Sequence, residues 1–455
     1  MEKIIEQVKK NKKVLIGIFL VCVFGYYLIW VITQPFNMAP DEAMKYDICN
    51  YLYKNNKLPL GTDEAIRDKL WGISYAFQPI LTYMVGAIFM KIMSIFSTEQ
   101  FALVVAARLV STLSMTAVIY FVIKISEKLF KGIYKYLFVT MIAFLPLTAF
   151  LASYINNDST AVLATAIIVY CWILGLESNW KNVHCAWLGI GIGFCALTYY
   201  NAYGYILCSI IICLATTISD KMKAKEIGKK ALIVALIAMA IAGWWFIRNA
   251  IIYNGDFLGL QAEEKCAEEF AQEKYKPSQK QTMSKLCSIQ HMLIRCNWIE
   301  ITIKSFVGIF GYHTIKMANI IYYYYDFIWI IGIIGCFMRF KELMIFDKKE
   351  KNKYIFNYTM FLAMIIPVFL SIYYSYTNDF QPQGRYIMPM IIPFTYFIVT
   401  GLQGVIEKFI KSEKVKKALI IILMISIIVI SFIAIFGYVM PVYKDYPKIV
   451  GGMER

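Results

Sequence analysis

Two adjacent carboxylates, Asp41 and Glu42, lie in the stretch APDEAMKY, just after an apolar run from Val14 to Thr33 long enough to cross a bilayer. A carboxylate at such a boundary can hydrogen-bond a hydroxyl and take its proton as the oxygen attacks, the work of a general base. The plainer reading is a helix start, with Pro40 at the first helical position and the acids complementing the helix dipole. Asp158, in YINNDST, offers the same two readings. Asn157, Asp158 and Ser159 could simply cap a helix beginning there. By the topology given below, Asp158 falls on the same membrane side as Asp41, so the two could share one cavity.

Two arginines complete the set. Arg248, in GWWFIRNAIIYNGDFLG, sits near the end of an apolar segment, where a guanidinium is costly and is paired, functional or snorkelling to the interface. Arg385 follows Gln383 and Gly384 in NDFQPQGRYIMPMIIPF. Its forked donors suit a phosphate, and Gly384 would let the backbone come close to a ligand. The plainer alternative is an interfacial Arg-Tyr anchor. Acids and arginines converging on one membrane face suit group transfer from a donor with a phosphate leaving group.

The elements that must position these residues are membrane helices. The chain has 455 residues, 59% of them hydrophobic and 17% charged, against about 25% charged in soluble domains. Eleven spans are expected, near 14–33, 101–123, 136–154, 159–176, 185–201, 203–218, 231–252, 320–338, 355–376, 386–404 and 418–440. The fold class is therefore an all-α polytopic bundle. The first run is too long for a signal-peptide core and lacks a small-residue cleavage site, so it reads as a retained span.

The formal charge of +16 does not indicate nucleic acid, because lysines cluster in short loops between apolar runs. Residues 79–97 are nearly apolar enough to span, but Lys91 interrupts them. Leaving them at the outer interface puts the lysine-rich loops on one side. The N-terminus is then cytoplasmic, the C-terminus is outside, and the external segments have no net charge.

The organisation is thus a transmembrane domain over 1–440 and a short external tail, 441–455. Two large external segments, 34–100 and 253–319, carry interfacial helices. Segments of this size outside a membrane commonly carry function. No soluble domain beyond the tail is evident. Most of the 11 cysteines lie in or beside spans; Cys49, Cys266, Cys287 and Cys296 are external, where one or two disulfides can form. No cysteine or histidine spacing resembles a zinc site.

At this point the residues resemble a family. APDEAMKYDICNYLYKNNKLP looks like the Pro-Asp-Glu loop of GT-C-fold glycosyltransferases, multi-span enzymes that use polyprenyl-phosphate-linked sugars. QPILTY, AARLVSTL, NND, WWFIRNAIIYNGDFLG and QGRYIMPMIIP continue the match in the family's order, from about residue 34 to 393. The last two blocks are most similar to a poorly characterised bacterial branch, and the superfamily includes protein mannosyltransferases and aminoarabinose transferases.

The resemblance implies an inverting transferase in the plasma membrane, with an extracytoplasmic site. Asp41 would be the base, Glu42 would position the acceptor, and Asp158 would be the second acid. Arg385, Arg248 and Gln383 would bind the donor phosphate and stabilise its charge as it leaves. The expected partners are the polyprenyl-phosphate-linked donor, a glycan, lipid or protein acceptor, and the bilayer. No cofactor is expected. A divalent metal fits poorly, since Asn157 stands where metal-using relatives often carry a second acid.

Two alternatives compete. A transporter or flippase of lipid-linked saccharides predicts midplane charges and inverted repeats, whereas Arg108 and Asp326 fall in the outer halves of their spans. A glycan polymerase or ligase would share the site's location and its need for arginines.

Overall fold

Helices apolar enough to cross hydrocarbon make up most of the chain in the computed structural model, which describes residues 11–449. The beginning of the chain and the last residues of the expected tail lie outside the described residues. Among the described residues, nine helices have the length and apolarity of a membrane span. They are Lys12–Thr33, Gln100–Leu129, Asp158–Ser178, Tyr200–Ser219, Ala224–Ile252, Asn319–Met338, Lys348–Thr377, Gly384–Phe409 and Glu413–Tyr443.

The all-α membrane architecture is as expected, but two of the eleven spans differ. Residues 136–154 form two short helices, Tyr134–Ala143 and Pro146–Leu151. The Pro146 ring forces Leu145 into extended backbone, φ −64° and ψ 125°, and breaks the run. Residues 185–201 give a helix of only 15 residues, Asn182–Ala196. The near-span at 79–97 becomes Leu81–Met93, whose 13 residues are too few to cross hydrocarbon.

The helices divide by burial. Gln100–Leu129, Asp158–Ser178 and Gly384–Phe409 are mostly enclosed, whereas Lys12–Thr33, Ala224–Ile252 and Glu413–Tyr443 expose most of their apolar surface. An apolar helix exposed over most of its surface needs a nonpolar solvent, which the bilayer supplies. The three enclosed helices carry Arg108, Asp158 and Arg385, so their charges face protein rather than lipid. Asn319–Met338 packs so closely on Ile391–Phe409 that a Cβ on Gly335 or Gly401 would overlap the facing backbone. This is the close helix contact that small residues permit in membranes.

The segment after the first span is not a loose loop. Its helix Glu42–Asn55 and Leu81–Met93 bury Tyr46, Ile48, Cys49, Tyr83 and Met90 in a second apolar cluster. Val104 and Ala107 of Gln100–Leu129 and Trp245 of Ala224–Ile252 complete it. The tail returns to this segment, with the Phe36 N–H donating to Lys448 O at 2.8 Å.

Within 253–319 the charged run folds as Leu260–Phe270, and the apolar stretch beyond it forms the short helix Trp298–Gly308. A two-stranded antiparallel hairpin follows, Ile309–Phe310 with Ile315–Lys316. Asp256 caps Leu260–Phe270, accepting from the Gly259 and Ala262 amides at 3.0 and 2.9 Å.

Candidate active site

Asp41 and Glu42 point into different surroundings. The helix begins at Glu42, with Asp41 at the cap position in left-handed backbone, φ 62° and ψ 11°, and its side chain makes no capping bond. Pro40 therefore precedes the helix instead of opening it. A non-glycine residue held at positive φ costs energy that the surrounding contacts must offset.

Glu42 is fully buried against Arg108. Arg108 Nε donates to Oε1 at 2.7 Å and Nη2 to Oε2 at 2.8 Å. The remaining guanidinium hydrogens go to the carbonyls of Val31, Gln34 and Pro35, at 2.9, 2.6 and 3.0 Å. Glu42 also accepts from the amides of Asn37 and Ile155, at 3.0 and 3.2 Å. Every donor of the guanidinium is used, and the carboxylate is saturated. The pair ties the end of the first span to Gln100–Leu129 and to the turn before Asp158. The Glu42 oxygens are thus all engaged within the protein itself.

Asp41 faces the other way, toward Arg385, which donates from Nη2 to Asp41 Oδ2 at 2.8 Å. Arg385 Nη1 lies 3.9 Å from Asp158 Oδ2, so one guanidinium joins both acids. Gln383 holds the arginine by accepting from Nε at 2.7 Å, and the Tyr386 hydroxyl accepts from Nη2 at 2.8 Å. Asp158 is free to face Arg385 because Asn156 does the capping, its Oδ1 accepting from the Ser159 amide at 2.8 Å. Asp158 Oδ1 and Asn157 Nδ2 are buried and have no hydrogen-bond partner.

Several residues not singled out in the sequence join the cluster. Lys45, one helical turn after Asp41, is 1% exposed, and its Nζ lies 3.8 Å from Asp41 Oδ2. Burial pulls its ammonium below the ordinary lysine value, and Asp41 opposes the shift. The Lys45 ammonium also sits over the Tyr75 ring, 5.1 Å from its centre. The i, i+4 spacing of Asp41 and Lys45 was a usable signal. His313, at the hairpin tip, approaches Ser305 Oγ at 3.4 Å. Burial, with Arg385 and Lys316 nearby, pushes its pKa down to about 4, so it is neutral near pH 7.

Burial alone would raise the Asp41 pKa. Arg385 and Lys45 beside it, with hydrogen bonds from Arg385 and Tyr75, outweigh this and hold it at about 2. In this state Asp41 is ionised but weakly basic. A phosphate that drew Arg385 away would make the carboxylate a stronger base.

Arg248 is not brought to the cluster. Its guanidinium donates to Pro59 O at 2.6 Å and Asn249 Oδ1 at 3.3 Å and lies over Trp245, tethering the 34–100 segment. Gly384 serves packing, not ligand approach. A Cβ there would strike the Phe306 backbone, and its amide donates to Ser305 Oγ at 2.9 Å. All four cysteines expected outside carry free thiols, with Cys49 and Cys266 buried. Arg385 lies between Asp41 and Asp158, 2.8 Å from one carboxylate and 3.9 Å from the other.

The DUF2142 profile, described as a predicted membrane protein, matches residues 62–395. No curated protein matches the sequence. Among solved structures, the oligosaccharyltransferase AglB of Archaeoglobus fulgidus, in complex with an inhibitory peptide and a dolichol-phosphate, superposes with a TM-score of 0.56 at 13% identity. The alignment covers 97% of this chain and 57% of that one, so this chain spans little more than half its length. ArnT of Cupriavidus metallidurans, bound to undecaprenyl phosphate, gives a TM-score of 0.52 at 12% identity, covering 94% of this chain and 73% of that one. The likeness shows the fold, which is the GT-C fold.

Proposed function

We propose that this chain, which belongs to the DUF2142 family of predicted membrane proteins, transfers a sugar from a polyprenyl-phosphate-linked donor to a cell-envelope acceptor. The observation that carries this reading is Arg385, held at 2.8 Å from Asp41 and 3.9 Å from Asp158 beside unpartnered buried polar atoms. A cluster of two acids, a forked cation and the buried amine of Lys45 suits a sugar phosphate better than a neutral solute. The solved structures sharing the fold support the choice of a lipid phosphate, since one was solved with a dolichol-phosphate and the other with undecaprenyl phosphate.

Asp41 accepts the proton of an acceptor hydroxyl as its oxygen attacks the anomeric carbon from the face opposite the phosphate. The new C–O glycosidic bond forms, the bond from carbon to phosphate oxygen breaks, and the lipid phosphate leaves with the electron pair. One displacement inverts the anomeric centre. Arg385 and Lys45 stabilise the charge growing on the phosphate, and Gln383 keeps the guanidinium oriented. Asp158 restrains Arg385 when the phosphate is absent. The lysine-rich loops support placing this end of the bundle outside the plasma membrane, with the N-terminus cytoplasmic.

Replacing Asp41 by Asn in membranes supplied with native lipid-linked donor tests the base. Loss of about 10²–10⁴-fold in transfer with folding intact is expected. Wild-type transfer by a folded Asp41→Asn protein overturns the assignment.

A further inference from the structure

A cleft of about 550 Å³ opens where the 34–100 and 253–319 segments meet the turn before Arg385. Its size is that of a small-molecule site. Trp71 and Tyr275 form one wall, their ring centres 4.5 Å apart. Gln279, Gln281, Glu273 and Asp379 complete the lining. The two segments are joined here by the Gln272 amide donating to Leu70 O at 3.1 Å and by Arg67, 3.6 Å above the Phe270 ring. The aromatic pair is therefore held in place.

The lining chemistry suits a saccharide. Aromatic rings pack against the C–H faces of pyranoses, while carboxylates and amides match paired ring hydroxyls. Glu273 and Asp379 balance Lys274 and Lys280, which favours a neutral ligand over a polyanion. Lys280 Nζ lies over Trp71 and 3.8 Å from Asp379 Oδ1, so a hydroxyl entering the cleft finds both a donor and an acceptor.

The cleft is also wired to the acid–arginine cluster. Asp379 Oδ2 accepts from Gln381 Nε2 at 2.6 Å, and Gln381 Oε1 accepts from the Tyr386 hydroxyl. That hydroxyl accepts from Arg385 Nη2 at 2.8 Å, and Arg385 binds Asp41. Four hydrogen bonds thus lead from the cleft wall to the proposed base. We infer that the Trp71–Tyr275–Asp379 cleft binds neutral sugar units of a glycan acceptor next to the hydroxyl that receives the new sugar. This rests on the transferase reading and adds the acceptor's class.

The test uses the full chain in lipid nanodiscs and neutral hexasaccharides of glucose, mannose, galactose and N-acetylglucosamine, with binding read in the absence of donor. At least one hexasaccharide should bind. Trp71→Ala and Tyr275→Ala should each weaken it about tenfold. Trp71→Phe, which keeps a ring, should lose less and guards against misfolding. Failure of every hexasaccharide to bind, or equal binding by Trp71→Ala, overturns the cleft. If Trp71→Ala instead weakens binding of a short-chain polyprenyl-phosphate hexose, the sugar belongs to the donor and the acceptor assignment falls. Hexasaccharide binding at Trp71 without any transfer would sink the transferase and leave the cleft standing. Transfer unimpaired by Trp71→Ala would do the reverse.

Discussion

Glu42 and Arg108 form a two-point ion pair, at 2.7 and 2.8 Å, and neither side chain has exposed surface. Such a pair adds little over an apolar pair of the same shape, but losing one partner strands a buried charge. Glu42→Gln and Arg108→Met should each cost about 3–5 kcal/mol. Replacing both by methionine should cost less than either single change. Thermal unfolding in nanodiscs measures this, and additive losses would refute the coupling.

The Asp41–Arg385 contact predicts two different acid limbs. In the free protein, Asp41 is held at about 2, so kcat/KM should show no loss from its protonation above pH 4. Once donor phosphate engages Arg385, Asp41 loses its strongest partner and its pKa rises. The acid limb of kcat should then lie at higher pH than that of kcat/KM. Coincident limbs would show that Arg385 stays on Asp41 through turnover. For stability the sign is that of a depressed carboxylate. The contribution is present above the ordinary value near 4 and is lost as pH falls toward about 2.

Long apolar runs made the bundle legible, because span length and apolarity are local properties. The break at Pro146 was also local, though an apolar run masked it. The site was legible only in part. Asp41, Asp158, Arg385 and Gln383 meet as their motifs suggest, although Arg385 is 344 residues from Asp41. Which of two adjacent acids turns inward depends on Arg108 and on left-handed backbone at Asp41, and neither is visible in APDEAMKY. Arg248 looked equivalent to Arg385, because an arginine at a span end reads alike whether it meets a ligand or a backbone carbonyl. The i, i+4 spacing of Lys45 to Asp41 reads in sequence like a solvated surface pair.

Arg385→Lys tests whether the forked geometry matters. Arg385 bonds Asp41, Gln383 and Tyr386 at once, and a single ammonium cannot reproduce that. The variant should fold, keep its KM for acceptor, and lose about 10²–10³-fold in kcat with lipid-linked donor. Gln383→Ala, which frees the guanidinium without removing it, should lose less. If Arg385→Lys matches wild type in donor kinetics, the guanidinium has no part in handling the phosphate.

Glu263, half-buried on Leu260–Phe270, offers a separate check of how the 253–319 segment packs. Burial pushes its pKa up to about 7, with a Gln78 hydrogen bond opposing and Asp256 adding to the rise. The folded protein therefore keeps this proton where the unfolded chain has released it. Stability should fall as pH rises from about 4.5 to about 7 and level off above that. Glu263→Gln removes the titration while retaining the shape. Wild-type melting temperature, compared with Glu263→Gln at pH 5, 6, 7 and 8, should decline by a few degrees relative to the variant and then run parallel. Curves parallel throughout would mean that Glu263 is solvated and that the segment does not close over Gln78.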